Sequence, residues 1–352
     1  MPFAPPFCPN PGCSQHLEPA GRFYVRYGSF VVACRAAPTP RYRCKACRRT
    51  FCEQTFRQDY RDRKPDLNAR LFQLLASGVG FRQSGRMLGL GVSAAQRKAH
   101  KIGRQMALLH QNLSLHLPTG STFLLDEEET YEAASIRRVG VAVLIEQQHW
   151  FVVATEAGPL RRLAKPGSAR RRWQDNDERR HGKRPDESSR CVRTVLQALR
   201  DKVGDRPIVL RTDQKPSYGR LARQVFGDGV HHERTSGKDP RTPNNPLFPI
   251  NTMLTMGRDL VGALRRQSWL VGKKYQKLAT RLAIFVVTRN YLRKRFTKDK
   301  EDKSAAVHLG LLPRSLTFVE ALRWRQDWEG ASIHPLSSDG NRRIDRPIAI
   351  TT

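Results

Sequence analysis

Two aspartates that close apolar runs are the residues best suited to chemistry in this chain. Asp126 ends Phe123-Leu-Leu, and Asp213 ends Ile208-Val-Leu-Arg-Thr. Cleavage of a phosphodiester with two divalent metals needs carboxylates that hold the ions ~3.5–4 Å apart, one for the attacking oxygen and one for the leaving oxygen. Hard oxygen ligands suit two Mg²⁺ ions, or Mn²⁺. A strand's end is where a mixed α/β sheet gathers such ligands, although either aspartate alone would also serve as a turn cap. The run Asp126-Glu-Glu-Glu is a negative patch in a very basic chain, and adjacent carboxylates are costly unless cations offset them.

The cysteines form a second constellation. Six of the seven precede residue 53. Cys8-Pro-Asn-Pro-Gly-Cys13 and Cys44-Lys-Ala-Cys47 read as two knuckles presenting four thiolates to a structural Zn²⁺. Tyr42 and Phe51 would pack over a core too small to hold itself without metal. Cys34 and Cys52 are left over, and unliganded thiols are the bland alternative.

The elements that must position these groups change texture along the 352 residues. Residues 1–58, with short β-like runs, are expected to be a zinc ribbon. Residues 66–115 turn helical: Leu67, Leu71, Leu74 and Leu75 recur at helical spacing, Asp66 is a candidate N-cap, and Gly78 can end the helix. A short helix over 81–88, a Gly89-Leu-Gly turn and a helix capped by Ser93 complete a helix-turn-helix reading. The last helix offers Gln96, Arg97, Lys98, His100 and Lys101 to a DNA major groove. An ordinary three-helix unit with a solvated basic face is the plainer alternative.

From residue 120 the alternation suits strands near 122–126, 139–145, 150–155 and 207–213, with an amphipathic helix over 189–203. Residues 160–190 read as a basic loop or insertion, and a long helical tract is expected from about 252 to 295. There Arg265, Arg266, Lys273 and Lys274 lie near Trp269 and Tyr275, a mixture suited to bent or unpaired DNA. His231, His232 and Glu233 could assist proton transfer, although a histidine pair in a loop more often does not. Residues 297–352 are expected to form a C-terminal tail.

Lys and Arg number 63 against 32 Asp and Glu, a formal charge of +31. Such an excess repels itself unless it meets a polyanion, which points to nucleic acid. No run approaches ~18 apolar residues, so no membrane span is expected. The first residues lack a signal-peptide pattern, which implies a cytoplasmic protein.

In the order of these pieces the chain resembles bacterial insertion-sequence transposases of the DDE type, in particular the insertion-sequence-one group. The resemblance covers most of residues 5–295. It rests on the knuckles followed by Tyr42-Arg-Cys-Lys-Ala-Cys-Arg-Arg-Thr-Phe, the helix-turn-helix, Leu125-Asp-Glu, Thr212-Asp-Gln-Lys-Pro-Ser-Tyr, and the run from Arg258-Asp-Leu-Val-Gly-Ala to Lys273-Lys. It implies a multidomain α+β protein: zinc ribbon, helix-turn-helix, and an RNase H-like catalytic domain with a mixed sheet over 120–296. Asp126 would be the first-strand acid and Asp213 the fourth-strand acid, both binding metal.

The family's third acid, a glutamate on the following helix, falls on or near Asn251, which can ligate through oxygen but adds no charge. Asp259, eight residues on and ~12 Å along the helix, is taken as the third catalytic carboxylate, with Asn251 as the alternative. The implied activity is a transposase that binds terminal inverted repeats in double-stranded DNA, cuts, and joins the freed end to target DNA. It would work as a homo-oligomer on DNA, nucleoid-associated in a bacterial cytoplasm. A catalytically inactive, transposase-derived DNA-binding regulator is the rival reading, and an RNA-binding basic protein is a further one.

Overall fold

The structure is a computed structural model that describes residues 3–324 except 17, 33–36, 57, 58, 60, 61, 118–121, 241 and 268. Cys34, the boundary expected at residue 120 and the end of the tail lie outside the described residues.

The N-terminal segment builds a three-stranded antiparallel sheet from β1 (Tyr24–Phe30), β2 (Thr39–Cys44) and β3 (Thr50–Phe51). Its core is aromatic, with Phe7, Phe23, Phe51 and Phe56 buried beside Cys8, Cys13 and Cys44. Tyr42 stacks on Phe51, centroids 6.2 Å apart.

Three helices follow: α1 (Leu67–Ala76), α2 (Phe81–Leu88) and α3 (Val92–Leu113). Gly89 ends α2 at φ +60°, where Leu90 N–H returns to the Gly85 carbonyl at 2.8 Å, a C-cap that a Cβ would disfavour. The N-cap of α3 is Gly91 rather than Ser93, and Asp66 precedes α1 without a side-chain capping bond.

The central element is a five-stranded mixed sheet in the order β6-β5-β4-β7-β8. Its strands are β4 (Thr122–Tyr131), β5 (Arg138–Glu146), β6 (Val152–Pro159), β7 (Ile208–Thr212) and β8 (Val230–Arg234). β5 alone runs against the others, since β4 pairs antiparallel with β5, β5 antiparallel with β6, and β4 and β8 both pair parallel with β7. β5 is apolar over a long run, and β4 over Phe123–Leu125, because both faces are covered there. On one face α5 (Ser188–Val203) and α6 (Pro216–Phe226) bury Val195, Leu199, Tyr218 and Leu221 against Phe123 and Leu125. On the other, α7 (Phe248–Leu260) and α8 (Leu278–Val287) bury Ile250, Met253, Leu282 and Phe285 against Leu124, Val141 and Val143.

The helical segment is not set apart from this sheet. Leu71, Phe72, Ile102, Met106 and Leu109 belong to the same apolar cluster as Leu125, Leu144 and Phe151. α3 lies so close to α8 that a Cβ on Gly103 would stand 2.5 Å from the Thr280 carbonyl oxygen. Further along α3, His110 sits between the Tyr291 hydroxyl (2.9 Å) and the Val153 carbonyl (3.0 Å), and burial lowers its pKa to about 3.

Three segments differ from expectation. The presumed loop over 160–190 contains α4 (Ala169–His181), which has no apolar stripe to announce it. Polar contacts hold it instead: the Ser168 cap, an Arg171–Asp175 pair at 2.9 Å, Arg137 on Asp177 at 2.6 Å and Arg161 on Glu178 at 2.9 Å. The long tract from 252 to 295 is broken by a short 3-10 turn at Gly262–Arg265 and another at Tyr275–Lys277, and α8 continues as a π-helical turn at Thr288–Leu292. In that turn Asn290 bonds both the N–H and the C=O of Val152, at 2.9 and 2.8 Å, satisfying the edge of β6. Beyond residue 297, α9 (Ala305–His308) and α10 (Phe318–Arg323) add Ala306, Leu309 and Leu322 to the main core, with Phe318 on Phe72 at 4.8 Å.

Candidate active site and metal centre

Alternation along β4 sorts its acids onto two faces. Asp126 and Glu128 follow Leu124 onto the α7 side, whereas Glu127 follows Leu125 onto the α5–α6 side. Carrying the parallel register of Leu124 with Arg211 two residues further puts Asp126 level with Asp213, whose charge acts on the Asp126 carboxyl. Asp213 stands just past β7, where its Oδ1 accepts the Lys215 N–H at 2.9 Å and turns the chain into α6. Asp126 Oδ1 accepts the Glu127 N–H at 2.7 Å. Burial, followed by the charges of Asp213, Glu127 and Glu128, raises the Asp126 carboxyl from 3.8 to about 6. Its hydrogen bond opposes that shift without cancelling it. This is an oxygen-only donor pair with uncompensated negative charge, a set that fits a hard divalent cation.

The other acids of the run are accounted for by the protein. Glu128 is 4% exposed and receives Arg258 at 3.1 Å and Arg266 at 2.7 Å. Glu127 accepts the Tyr218 hydroxyl at 2.9 Å, the Ser188 hydroxyl at 2.7 Å and the Lys215 ammonium. Burial and the Glu127 charge push the Tyr218 phenol well above its ordinary range, so it stays a donor. Lys215 Nζ also reaches Ser188 Oγ at 2.8 Å. This cluster ties β4, α5 and the start of α6 together directly behind Asp126 and Asp213. Sequence reasoning assigned no role to Ser188, and none to Glu127, Lys215 and Tyr218 beyond their places in the runs after Asp126 and Asp213. The adjacency of Lys215 and Tyr218 to Asp213 in one short run was the available signal.

Asp259 does not join the pair. Its side chain is 76% exposed and pairs with Arg265 at 3.4 Å, and it is not among the charges acting on Asp126. Asn251 stands two turns before Arg258 on the same stripe of α7, ~10.5 Å back along the helix. Arg258 meets Glu128 and the Ala263 carbonyl beyond α7 accepts the Thr130 hydroxyl, so α7 follows the direction of β4 and Asn251 lies on the same side of Glu128 as Asp126.

The four cysteine sulfurs converge, all within 4.8 Å of one another. Cys8 and Cys47 Sγ are 3.5 Å apart and Cys13 and Cys44 Sγ 3.8 Å. A tetrahedron with ~2.3 Å metal–sulfur bonds has edges of ~3.8 Å, so the four sulfurs are grouped as a zinc ion would need. Arg48 takes φ +60° as the second knuckle closes, with its N–H on the Cys44 carbonyl at 3.1 Å. Cys52 stays outside the group and bonds Thr55.

The residues expected to meet DNA divide. Gln96 and Arg97 are exposed on α3. Lys98 is a correction: it is 7% exposed, and its ammonium is spent on Asp62 (3.1 Å), Asn68 (2.9 Å) and the Lys64 carbonyl (2.7 Å). Lys101 pairs with the other oxygen of Asp62 at 2.7 Å. His100 bonds Thr280 at 3.0 Å and is held neutral by burial, its pKa lowered to about 4. In the tract after α7, Arg265 turns back onto Asp259, and Arg266 reaches the Glu129 carbonyl at 2.8 Å and Glu128. Lys273, Lys274 and Trp269 (71%) are exposed. His231, His232 and Glu233 lie on β8 rather than in a loop. His232 Nε2 meets Thr212 Oγ1 at 2.8 Å, Glu233 pairs with Arg211 at 2.6 Å, and His231 is exposed.

No protein-family model and no curated protein matches the chain. Among solved structures, it is similar to the catalytic core domain of BIV integrase at 14% identity and a TM-score of 0.26, covering 52% of this chain and 88% of that one. It is also similar to the catalytic domain of Mos1 mariner transposase at 14% identity and a TM-score of 0.25, covering 53% and 87%. No described helix is long and apolar enough to cross a membrane.

Proposed function

We propose that the chain is a transposase that binds the ends of a DNA element and carries out metal-dependent strand cleavage and transfer. The observation that carries this reading is Asp126 on β4 with Asp213 just past the end of the neighbouring parallel strand β7, close enough for the Asp213 charge to act on the Asp126 carboxyl, within a chain of +31. Asp126 lies on the first strand of that sheet in chain order and Asp213 follows the fourth, as an RNase H-like fold of this kind would require. Divalent cations held by the two carboxylates would lower the cost of charge on the attacking and leaving oxygens. The chain's own groups set the stage: Glu127, Ser188, Lys215 and Tyr218 fix the spacing of β4 and α6, and Arg258 and Arg266 neutralise Glu128.

The remaining assignments belong to the same proposal. Cys8, Cys13, Cys44 and Cys47 would hold a structural zinc. α2 and α3 would serve as a helix-turn-helix that reads the terminal repeat through Gln96 and Arg97, with Lys273, Lys274 and Trp269 adding contacts to DNA near the sheet. Two ends must be brought together, which calls for a homo-oligomer on DNA in the cytoplasm. For the third ligand the geometry favours the place of Asn251 over Asp259.

That place is also what favours the second reading, an inactive, transposase-derived DNA-binding regulator, because an amide there brings no charge. Strand cleavage of a labelled terminal-repeat duplex with Mg²⁺ or Mn²⁺ separates the two. Activity that is lost in Asp126→Ala and Asp213→Ala, reduced in Asn251→Ala and kept in Asp259→Ala supports the transposase. Specific binding of the repeat with no cutting under either metal supports the regulator.

A further inference from the structure

A second charged feature lies on the far side of α6 from the sheet's centre. α6 and the edge strand β8 enclose an open groove of about 690 Å³, lined by Lys215, Gly219, Arg220, Arg223, His232 and Arg234 among others. Arg220 and Arg223 stand one turn apart on α6, and Arg234 faces them from β8. All three are exposed, and none is ion-paired with a carboxylate among the described residues. Most other arginines near the sheet are matched: Arg137, Arg161, Arg184, Arg190 and Arg211 each meet an acid. Three unmatched guanidiniums facing one another repel, and that arrangement is stabilised by a bound polyanion.

The groove is also joined to the carboxylates. Lys215 lines it, and the same residue's N–H bonds Asp213. Its floor is His232, which meets Thr212 at 2.8 Å, and Thr212 in turn donates to the Asp213 carbonyl at 2.7 Å. Gly219 makes this possible, since a Cβ there would stand 2.8 Å from the His232 ring.

We infer that the α6–β8 groove is a binding site for the phosphate backbone of a DNA strand leading to or from the phosphodiester held at Asp126 and Asp213. This rests on the reading that the chain acts on DNA and adds where one strand runs. Guanidiniums suit phosphate oxygens through paired N–H donors, and three of them spread along an open groove suit successive phosphates of a polymer.

The test measures binding of a 30-base-pair duplex and a 30-nucleotide single strand, both of arbitrary sequence, at several salt concentrations without added divalent cation. Binding here requires no cutting, so its outcome is separate from that of the cleavage assay. Each phosphate contact contributes about 0.9 to the slope of log affinity against log salt for duplex and about 0.7 for single strands. The triple variant Arg220→Ala/Arg223→Ala/Arg234→Ala is expected to flatten the duplex slope by about 2.7, or the single-strand slope by about 2.1. The triple Arg→Lys variant should restore most of it. Lys298→Ala/Lys300→Ala/Lys303→Ala removes the same charge elsewhere and should leave the slope within about 1 of the wild type.

Equal flattening by both alanine triples would mean diffuse attraction and overturn the proposal. So would an unchanged slope in the groove variant with its thermal midpoint intact. Where cutting is observed, slower cleavage of the labelled end assigns the groove to the cut DNA. A defect confined to joining of a pre-cut end assigns it to the DNA that receives it.

Discussion

Asp126→Asn should make the protein more stable while removing the divalent-metal site proposed at Asp126. Raising a buried carboxyl from 3.8 to about 6 means that its ionisation opposes folding, by about 3 kcal/mol at 1.36 kcal/mol per pH unit, and about 2 kcal/mol once solvent at the rim of the sheet is allowed for. An acid with a raised pKa in the folded state stabilises the protein when protonated, below about pH 3.8, and that contribution is lost as pH rises through about 6. Asparagine keeps an oxygen for the Glu127 N–H and carries no charge at any pH. Urea unfolding at a series of pH values reads the effect directly. The variant should exceed the wild type by about 2 kcal/mol at pH 7.5, a gap that closes toward pH 4. Millimolar Mg²⁺ should stabilise the wild type and leave the variant unmoved, because only the folded wild type offers the charged pair. A variant no more stable than the wild type at pH 7.5, or a gap that ignores pH, would refute the view that Asp126 carries uncompensated charge.

Two further outcomes follow from packing and from the cysteines. Gly103→Ala would ordinarily favour a helix by up to about 1 kcal/mol, but the new methyl meets the Thr280 backbone, so calorimetry should show a net loss of about 1–3 kcal/mol. A gain in stability would mean that α3 and α8 are not in contact as described. Cys44→Ser should lower the bound zinc from one per chain to none by elemental analysis and open residues 3–56 to proteolysis, because their aromatic core is small without metal. Retained zinc, or an unchanged digestion pattern, would argue that the four sulfurs meet for another reason.

The legible parts of this chain were those where a local pattern answers to a single cause. β7 was readable because an apolar run ending in an aspartate suits a buried strand, and the knuckles because four thiols at those spacings can converge. β4 was readable only over its first half, since it runs past Asp126 to Tyr131 through acids that Lys215, Arg258 and Arg266 offset. α4 was not readable, because its helix depends on ion pairs to Arg137 and Arg161, far from it in sequence, and has no apolar stripe. Lys98 shows the same limit from the other side. On a helical wheel it shares the basic face with Gln96 and Arg97, but Asp62, 36 residues earlier, draws it inside. The break after α7 was hidden because Leu260, Leu264 and Val271 keep apolar groups at intervals that suit a helix, while Arg265 and Arg266 turn back to satisfy Asp259 and Glu128. β8 was missed because its five residues, Val-His-His-Glu-Arg, belong to a polar edge strand.

The depth at which α3 is set has a consequence for how information passes along the protein. Its 22 residues form one rod of ~33 Å, with Gln96 and Arg97 exposed near one end and His110 locked between Tyr291 and Val153 near the other. No slack separates the exposed end from the sheet that carries Asp126, so the helix is a ruler and not a tether. Lengthening it by one residue between these points would swing Gln96 and Arg97 by about 100° around the axis and shift them by about 1.5 Å relative to the carboxylates. Whatever α3 grips is therefore presented to the sheet at a set distance and bearing, and changes in spacing there cannot be absorbed as they would be by a flexible joint.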